Sequence, residues 1–497
     1  MTGSLLPLAL LSMSLVPAVL VFFLPESAVR TRNALNLGGA TAKVALVAAL
    51  IPAAAGGDRF EWRAPFVPGI DLVLRVDPFS LYFLGLSSVL WLLTTIYAIG
   101  YFSGAPHLNR FFGFFSMCVL ATSGIALAGN PVTFVIFFEL LTLATYPLVV
   151  HDGTAAAARG GRTYLAHTLT GGAALLLGVV WLTAEVGSID FADRGSPELT
   201  VFARDSPVSA VAIFVLILAG LGVKAALVPL HGWLPRAMVA PAPVSALLHA
   251  VAVVKAGVYG VVLLVDYVYG VDLAAELGVL TPLAILACVT ILYGSVQALR
   301  QDDLKARLAY STVGQVAYVT LGVSVMSVLA TTGGIAHIVN QGFMKITMFF
   351  CAGAFATVLG FKKISELDGV GRRMPVTCAA FTIAVLGMIG IPPLAGFLSK
   401  WYLASGAVAS GQLWVLAVLV TSSLLNAAYF FPIVYRMWWK PSDREELAPV
   451  VGLEASALLV VPIAVTAVLT IGIGVFAGWM YSPLELARLI TEGIYGL

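Results

Sequence analysis

The chain has 497 residues, of which 60% are hydrophobic and only 10% are charged, and no soluble domain of this length needs so large an apolar share. The net charge of +2 is too small to indicate nucleic acid or an acidic partner. We therefore expect an all-α polytopic membrane protein.

Apolar segments long enough to cross a bilayer recur from one end of the chain to the other. A helix rises 1.5 Å per residue and needs about 20 apolar residues to cross a hydrocarbon core of about 30 Å. The first segment lacks the basic start and cleavage site of a signal peptide, so we expect it to be retained. We predict fourteen membrane helices, at residues 4–24, 34–54, 76–103, 110–128, 131–150, 163–186, 207–229, 241–266, 279–299, 304–326, 331–359, 375–404, 411–437 and 452–480.

The basic residues of the loops indicate an orientation. With fourteen spans, sixteen Lys and Arg residues fall in the loops of one side and six in the loops of the other. Loops rich in these residues stay cytoplasmic. Both chain termini are therefore predicted to lie outside, in the periplasm or at the cell exterior.

The stretch at residues 221–257 combines charges with helix breakers, because Lys224 and Lys255 stand inside its apolar runs. An ammonium at membrane depth costs roughly 2.5–3.5 kcal/mol on insertion scales. Proline breaks the helical hydrogen-bond ladder, and a broken helix at this depth must be covered by protein or a water-filled cavity. The sequence therefore predicts an interrupted membrane helix, a connection and a second helix, with the ionisable groups turned inward. The prolines between the lysines are Pro229, Pro235, Pro241 and Pro243.

A second interrupted helix is predicted in GMIGIPPLAGFLSKWYL, where Pro392, Pro393 and Gly396 precede Lys400. Corresponding interrupted segments in two halves of a chain are typical of inverted repeats with a polar site at each break. We therefore divide the chain into N-terminal flanking helices at 1–109, a first half at 110–266, a second half at 279–437, and a C-terminal flanking helix with a short tail at 452–497.

Glu139 is the acidic residue expected to lie deepest in a membrane segment. A lone buried carboxylate takes up a proton unless it has a partner, and Lys224 is the candidate partner. A neutral, hydrogen-bonded Glu139 is the alternative. For Lys224, Lys255 and Lys400, the alternative to a functional role is a static buried ion pair.

Further ionisable residues have two interpretations each. His231 and His249 flank the lysines and titrate near neutrality, so they are either relays or structural histidines. His337 and Lys345 share a helix face, which suits either a hydrated polar line or an interhelical hydrogen bond. Lys43 is expected nearer a helix end, where it can extend to the headgroups.

The sequence contains no motif for a cofactor: no GxGxxG, Walker A, HExxH or cysteine pattern for iron–sulfur or haem ligation is present. The scattered cysteines are interpreted as packing residues. We expect no cofactor and no metal, so energy must enter through an ion gradient or a neighbouring subunit. The cysteines are Cys118, Cys288, Cys351 and Cys378.

Five stretches carry a family resemblance: VKAALVPLHGWLPRAMVAPAPVSALLHAVAVVKAG, FFELLTLATYPLV, DDLKARLAYSTVGQVAYV, HIVNQGFMKITMFF and IPPLAGFLSKWY. Together they resemble the proton-conducting membrane transporter family. This family comprises antiporter-like subunits of respiratory complex I, of membrane-bound hydrogenases and of Mrp-type cation/proton antiporters. The resemblance covers about residues 70–440 and is strongest to the MrpD-type subunits of the antiporters. It implies about 14 helices with two inverted five-helix repeats, each holding a discontinuous helix.

The resemblance also implies residue roles. Glu139 and Lys224 correspond to an interacting pair, Lys255 to a central relay and Lys400 to the terminal lysine of a proton pathway. The intermediate positions implied are His249, His337 and Lys345.

Three positions depart from the family pattern. Arg236 stands where an aspartate is common in WLPDA, and Ala242 replaces the usual threonine of APTPVS. Gln341 replaces a histidine often found in HxxNHAxxK, which weakens a relay through that position.

The function implied is that of a proton-translocating subunit of a multisubunit Na⁺ or other monovalent cation/H⁺ antiporter. Such a chain is a transporter subunit rather than an enzyme, and it works with other subunits in the inner membrane of the cell. Two alternatives stay open. One is a proton-pumping subunit of an NADH:quinone oxidoreductase or membrane-bound hydrogenase; the other is a membrane scaffold with static ion pairs, or a partner in inorganic-carbon uptake.

Overall fold

The computed structural model describes residues 4–442, 447 and 454–497, which fold almost entirely into helices. Twelve of the described helices are long and apolar enough to cross a membrane. The prediction of a helical polytopic membrane protein is therefore confirmed. The first labelled helices are α1 (Leu6–Phe23), α2 (Val29–Ala55), α3 (Pro78–Tyr101), α4 (Leu108–Leu127), α5 (Pro131–Val149), α6 (Ala155–Val186), α7 (Pro197–Asp205), α8 (Pro207–Lys224) and α9 (Ala242–Tyr269). They are followed by α10 (Val271–Glu276), α11 (Leu280–Leu299), α12 (Leu304–Ser324), α13 (Val328–Leu359), α14 (Pro375–Ile389), α15 (Ala395–Ala409), α16 (Leu413–Trp438), α17 (Ala457–Val475) and α18 (Pro483–Tyr495).

Two of the expected spans fall outside these twelve helices for local reasons. α12 carries Lys305, Arg307 and Gln315, which lower its hydropathy. The expected span at 375–404 is divided into α14 and α15, each too short to cross alone. The count of fourteen crossings stays a prediction, in which α12 crosses by itself and α14 and α15 cross together.

A β-hairpin lies between α2 and α3, where the sequence pattern had indicated only a loop. Strands β1 (Phe60–Val67) and β2 (Ile70–Val76) pair antiparallel around Gly69, whose φ of +81° favours glycine. The Arg75 guanidinium lies 3.0 Å from the Glu61 carboxylate across the pair. Alternation of apolar and charged residues in FEWR was the signal for a strand, and a search for long apolar runs does not detect it.

The first predicted break is present and begins directly after Lys224, the last residue of α8. Residues 225–241 form short helical turns before α9 begins. Trp233 lies in this connection and donates a hydrogen bond from Nε1 to the Val223 carbonyl at 2.7 Å. This bond satisfies one of the carbonyls that the end of the helix leaves unpaired.

The second predicted break separates α14 from α15 at residues 390–394. The Lys400 ammonium, on α15, donates to the Met388 and Ile389 carbonyls at 2.9 and 3.0 Å. A cation at the C-terminal end of a helix also suits the negative end of the helix dipole. The two breaks therefore differ in detail, because Lys224 precedes its break and Lys400 follows its break.

Helix α9 forms the centre of the bundle and is wholly buried. It packs against α3, α8, α12 and α13. Two π-helical segments widen it, at Leu247–Val251 and Leu263–Tyr269. Such segments are frequent at functional sites.

Hydrogen bonds between loops define two faces of the bundle. On the face that is predicted to be cytoplasmic, Leu304 N donates to Lys362 O at 2.9 Å. On the other face, Phe191 N donates to Gly129 O at 2.8 Å. We call these the basic face and the opposite face.

The C-terminal segment was expected to be a short tail, and this expectation is wrong. Residues 483–495 form α18, which packs against α3 and α13. The Tyr495 hydroxyl lies 3.1 Å from that of Thr331, near the start of α13. The apolar residues spaced along one side of α18 explain why it docks instead of extending into solvent. The first two positions of the last expected span, 452 and 453, lie outside the described residues.

Candidate functional site

Helix α9 holds His249 and Lys255, both fully enclosed by protein. The Lys255 ammonium donates a hydrogen bond to the Ile338 carbonyl of α13 at 2.7 Å. The His249 ring stacks on Phe349 of α13, with ring centroids 4.6 Å apart. Neither ring nitrogen of His249 has a hydrogen-bond partner in the described part of the chain. Two predicted relay residues therefore face α13 in the middle of the bundle.

Lys224 and Glu139 are neighbours but form no direct ion pair among the described residues. The Lys224 ammonium donates to the carbonyl of Phe138 and lies 3.4 Å from the centroid of its ring. The Glu139 carboxylate remains close enough for electrostatic interaction with Lys224, and its Oε1 is buried without a hydrogen-bond partner. The predicted pair is thus adjacent, with the carboxylate held away from the ammonium.

Two glycines create the space that this arrangement requires. A Cβ at Gly172 of α6 would collide with the Glu139 carboxylate. A Cβ at Gly257 of α9 would lie 2.6 Å from the carbonyl carbon of Lys224, so only glycine permits this approach of α9 to the end of α8. Since Lys255 is two residues from Gly257, this contact brings the central lysine close to the first break.

His337, Gln341 and Lys345 are all fully buried on α13, as their spacing predicted. The His337 Nδ1 atom lies 2.7 Å from the Ser399 hydroxyl, and Lys345 donates to the Ser311 hydroxyl at 2.7 Å. No atom of the Gln341 amide has a hydrogen-bond partner in the described structure. His337 and Lys345 form the interhelical hydrogen bonds of one interpretation, while the unpartnered Gln341 amide suits water. The hydrated polar line stays a prediction.

His337 of α13 lies between Lys255 and Lys400, close enough for electrostatic interaction with both. Lys255 bonds to the carbonyl of Ile338, which adjoins His337. His337 contacts Ser399, which adjoins Lys400. The central and terminal lysines are therefore separated by a single imidazole and its hydrogen-bond partners.

A second link between Lys400 and Lys345 uses residues that the sequence pattern did not reveal. The Tyr429 hydroxyl donates to Asn426 Oδ1 at 2.5 Å and lies 2.9 Å from Ser311 Oγ. The Asn426 amide donates to the Met388 carbonyl that also accepts from Lys400. Buried hydroxyl and amide residues at helical spacing were the only signal available, and it does not reveal which helices meet.

The buried lysines have no carboxylate counter-ions among the described residues. The ion pairs present there join charges at the two faces, such as Arg436 with Asp368 at 2.8 Å. No carboxylate lies near Lys255 or Lys400 in the described structure, which contradicts static ion pairs for these two. Lys224 forms no direct ion pair but keeps Glu139 as a neighbour. Their ammonium groups donate mainly to backbone carbonyls.

A cavity of about 750 Å³ opens on the basic face, beside the start of α9. Its lining includes Asp152, Arg236 and Lys305, and the Lys305 ammonium donates to the Ala240 carbonyl at 2.7 Å. Because α9 begins at this cavity, His249 lies about two helical turns inside it. Arg236, one of the departures from the family pattern, therefore adds positive charge to the entrance.

His231 is nearly buried in the connection after α8, where it contacts aromatic rings instead of the lysines. Its ring centroid is 4.8 Å from that of Tyr293, and its Nδ1 atom has no hydrogen-bond partner in the described part. The structure therefore does not bring it together with Lys255, and its relay role stays a prediction.

Lys43 is fully buried, so the expectation that it extends to the headgroups is wrong. It donates hydrogen bonds to Ser14 at 2.9 Å and to Ser123. α2 begins at Val29 instead of the expected residue 34, which places Lys43 midway along the helix. The surrounding serines provide the acceptors that headgroups would otherwise supply.

The geometry defines a class of protein. Uncompensated buried bases, unpartnered polar atoms and one carboxylate form a connected line through a bundle that is otherwise apolar, with a charged cavity on one face. Intramembrane ionisable groups in such an arrangement mark ion and proton pathways. The arrangement is typical of ion-translocating membrane subunits.

Comparison with known proteins identifies the family. Residues 128–426 match the family described as NADH:quinone oxidoreductase/Mrp antiporter, TM. Residues 68–112 match the family described as NADH-Ubiquinone oxidoreductase (complex I), chain 5 N-terminus. The chain belongs to the antiporter-like membrane subunits of these complexes, which confirms the resemblance carried by the sequence motifs.

Its relatives come from both kinds of complex. NADH-quinone oxidoreductase subunit N of Desulforudis audaxviator is 36% identical over 449 residues, covering 87% of this chain and 86% of the relative. The D-type subunit of the Na⁺/H⁺ antiporter of Alkalihalophilus pseudofirmus is 27% identical over 438 residues, covering 88% and 86%. A chain in the structure of the Mrp complex from Dietzia sp. shares the fold with a TM-score of 0.86 and 23% identity, over 100% of this chain and 98% of that chain.

Proposed function

We propose that this chain translocates protons as one subunit of a multisubunit monovalent cation/proton antiporter in the inner membrane. The observation that carries the proposal is the position of buried His337 between Lys255 and Lys400, with no ion pair to a carboxylate for any of the three in the described structure. A buried ammonium without a counter-ion loses its proton readily, because desolvation disfavours the charged form. Buried lysines without counter-ions are therefore better suited to transferring protons than to a purely structural role.

The Glu139–Lys224 neighbourhood acts as the switch in this proposal. A charged carboxylate that approaches Lys224 stabilises its ammonium, and withdrawal toward Gly172 removes that stabilisation. Lys224 then releases its proton toward Lys255, two residues from the glycine contact between α8 and α9. The proton continues past His337 to Lys400, and the return of the Glu139 carboxylate reloads Lys224. The cavity on the basic face supplies the entrance.

A redox-driven complex is the second candidate. It is favoured by the 36% identity to NADH-quinone oxidoreductase subunit N over most of both chains. The same proton line serves either assembly, since no redox cofactor needs to lie in this subunit. The subunits that co-purify with the chain distinguish the two: small antiporter subunits support the first, and iron–sulfur or hydrogenase subunits support the second.

The inverted repeats belong to the same proposal. The halves at 110–266 and 279–437 each contain one interrupted helix region, and α9 of the first half meets α13 of the second at Lys255. A pathway that crosses between halves explains why the central lysine bonds across this boundary.

The test uses the complete complex, purified from its native membrane and reconstituted into vesicles. Proton flux driven by an imposed membrane potential is followed with a pH-sensitive dye for Lys224→Ala, Lys255→Ala and Glu139→Ala. Each variant is expected to lose at least tenfold in flux while remaining assembled, because each removes a step of the pathway. Glu185→Gln is the control, since Glu185 is exposed on α6 and outside the line. Wild-type flux in Lys255→Ala would refute a conducting role.

A further inference from the structure

Asp266 is a fully buried carboxyl, at a position where the sequence pattern gives no indication of a membrane-interior acid. It is 0% exposed, and neither of its carboxylate oxygens has a hydrogen-bond partner in the described part of the chain. No ion pair joins it to any described basic side chain. An isolated ionised carboxylate at such a site is so costly that the group neutralises by binding a proton.

The position of Asp266 on α9 relates it to Lys255. Eleven residues separate the two, which is about three helical turns and about 16 Å along the axis. Lys255 bonds to Ile338 of α13, and Asp266 lies near Tyr495, which contacts Thr331 at the start of α13. Both side chains therefore lie toward α13. Asp266 therefore continues the line of ionisable groups that His249 and Lys255 begin.

The backbone of α9 is π-helical both at His249 and at Asp266. His249 lies in the π-helical segment Leu247–Val251, and Asp266 lies in the π-helical segment Leu263–Tyr269. Each segment holds a titratable side chain with no hydrogen-bond partner among the described residues. A π segment interrupts the regular ladder and leaves backbone groups that water can reach.

Asp266 lies close to the opposite face of the bundle. The adjacent Tyr267 carbonyl accepts a hydrogen bond from Ala192 N at 3.2 Å, and Ala192 belongs to the loop before α7. The titratable groups near Asp266 include Tyr267 from α9 and Tyr495 from α18, and Tyr495 also lies near Asp272 of α10. The Arg194 guanidinium lies beside Gly496, at the end of α18. The Tyr495 hydroxyl in turn contacts the Thr331 hydroxyl at 3.1 Å, which extends the polar contacts toward the surface.

We propose that Asp266 is the carboxyl group through which protons leave the central line toward the opposite face, beneath the cover formed by α18. The protonated Asp266 carboxyl releases its proton to water at the end of α18, where its O–H bond breaks. The resulting carboxylate then takes up a proton that water molecules carry over roughly 16 Å from Lys255, where an N–H bond breaks. This inference rests on the proposed function, in which Lys255 exchanges protons with Lys400 past His337, and it adds the site at which protons held by Lys255 leave toward the opposite face.

The first test compares Asp266→Asn with Asp272→Asn in the reconstituted complex. Asparagine keeps the size of the side chain but cannot exchange a proton, so flux should fall at least tenfold. Asp272 is exposed six residues further on, and its variant should keep wild-type flux. Asp266→Glu restores a carboxyl and should recover part of the flux. Wild-type flux in assembled Asp266→Asn would make Asp266 a structural neutral acid and overturn the proposal.

The failure of this inference is distinguishable from the failure of the proposed function. If Lys255→Ala is inactive while Asp266→Asn is fully active, only the exit role of Asp266 is overturned. If Lys255→Ala is fully active, both the conducting role of this chain and the exit role are overturned. A second measurement does not depend on transport or on the stability of Asp266→Asn. Infrared spectra of the wild-type complex should show a carboxylic acid band that shifts promptly in D₂O and moves in Asp266→Glu. A band that does not exchange would overturn access to water.

Discussion

The buried lysines differ in what accepts their hydrogen bonds, and this difference separates structural from mobile charges. Lys43 binds two serine hydroxyls in a closed site between α1, α2 and α4. Lys255 has one carbonyl acceptor, and its other two donors have no partner in the described structure. An ammonium with unused donors is held less firmly in its charged form. Lys255 is therefore better suited than Lys43 to give up a proton.

Gly172 provides a test of how Glu139 is positioned. In Gly172→Ala the new Cβ occupies the place of the Glu139 carboxylate, so the acid must move and proton flux should fall about tenfold. Alanine is the better helix former by about 1 kcal/mol, so the complex should stay assembled. The measurement is vesicle proton flux together with the melting temperature.

Gly472→Ala is the matched control for this substitution. Gly472 lies in helix α17 with no heavy atom close enough to meet a new Cβ. Its variant should transport as wild type does. Equal flux in both glycine variants would contradict the role given to the space beside Gly172.

At the scale of the elements, the two broken helices show what sequence can establish. Proline positions predicted both interruptions, because proline cannot continue the backbone ladder. They did not predict that Lys400 would bond to the carbonyls of the preceding helix, since that contact depends on how α14 and α15 fold back on each other. The local sequence therefore predicts where a helix is interrupted, whereas tertiary packing determines which groups bind the carbonyls that the interruption leaves free.

The same limit explains the other misses. Long apolar runs located the spans within a few residues, with α8 and α13 as examples. The depth of Lys43 and Asp266 was misjudged because burial depends on neighbouring helices instead of the position along the run. The contact between Ser311 and Tyr429 joins α12 to α16, and nothing in either sequence segment specifies that pairing.

Tyr429 tests whether the link between α12 and α16 contributes to transport. Tyr429→Phe removes one hydroxyl and leaves Ser311 and Asn426 without their shared partner. Loss of a buried hydrogen bond of this kind costs about 1–3 kcal/mol, and Lys345 loses its fixed orientation through Ser311. We expect a several-fold lower proton flux in the assembled complex.

Tyr435→Phe serves as the control for this variant, because Tyr435 is exposed on the same helix. Flux in Tyr429→Phe equal to that of this control would show that the link only stabilises packing.

At the scale of the whole molecule, the distribution of basic residues predicts that the basic face is cytoplasmic. Lys363→Cys, on that face, and Asp58→Cys, near the β-hairpin, place thiols at exposed positions on opposite sides. In intact cells, an impermeant thiol reagent should label only Asp58→Cys. Wild-type protein is the background control, since its four cysteines are buried. Labelling of Lys363→Cys alone would show that the orientation is the reverse of the one predicted.

The enclosure of α9 has a consequence for biogenesis. Its neighbours come from both sides in the sequence, with α3 and α8 synthesised before it and α12 and α13 after it. While the ribosome is still making residues 328–359, Lys255 lacks half of its final surroundings, and an ammonium exposed to lipid costs roughly 2.5–3.5 kcal/mol. The nascent chain must therefore keep α9 sheltered at the insertion machinery until α13 arrives, so the helix at the centre of the mature protein is the last to settle among its neighbours.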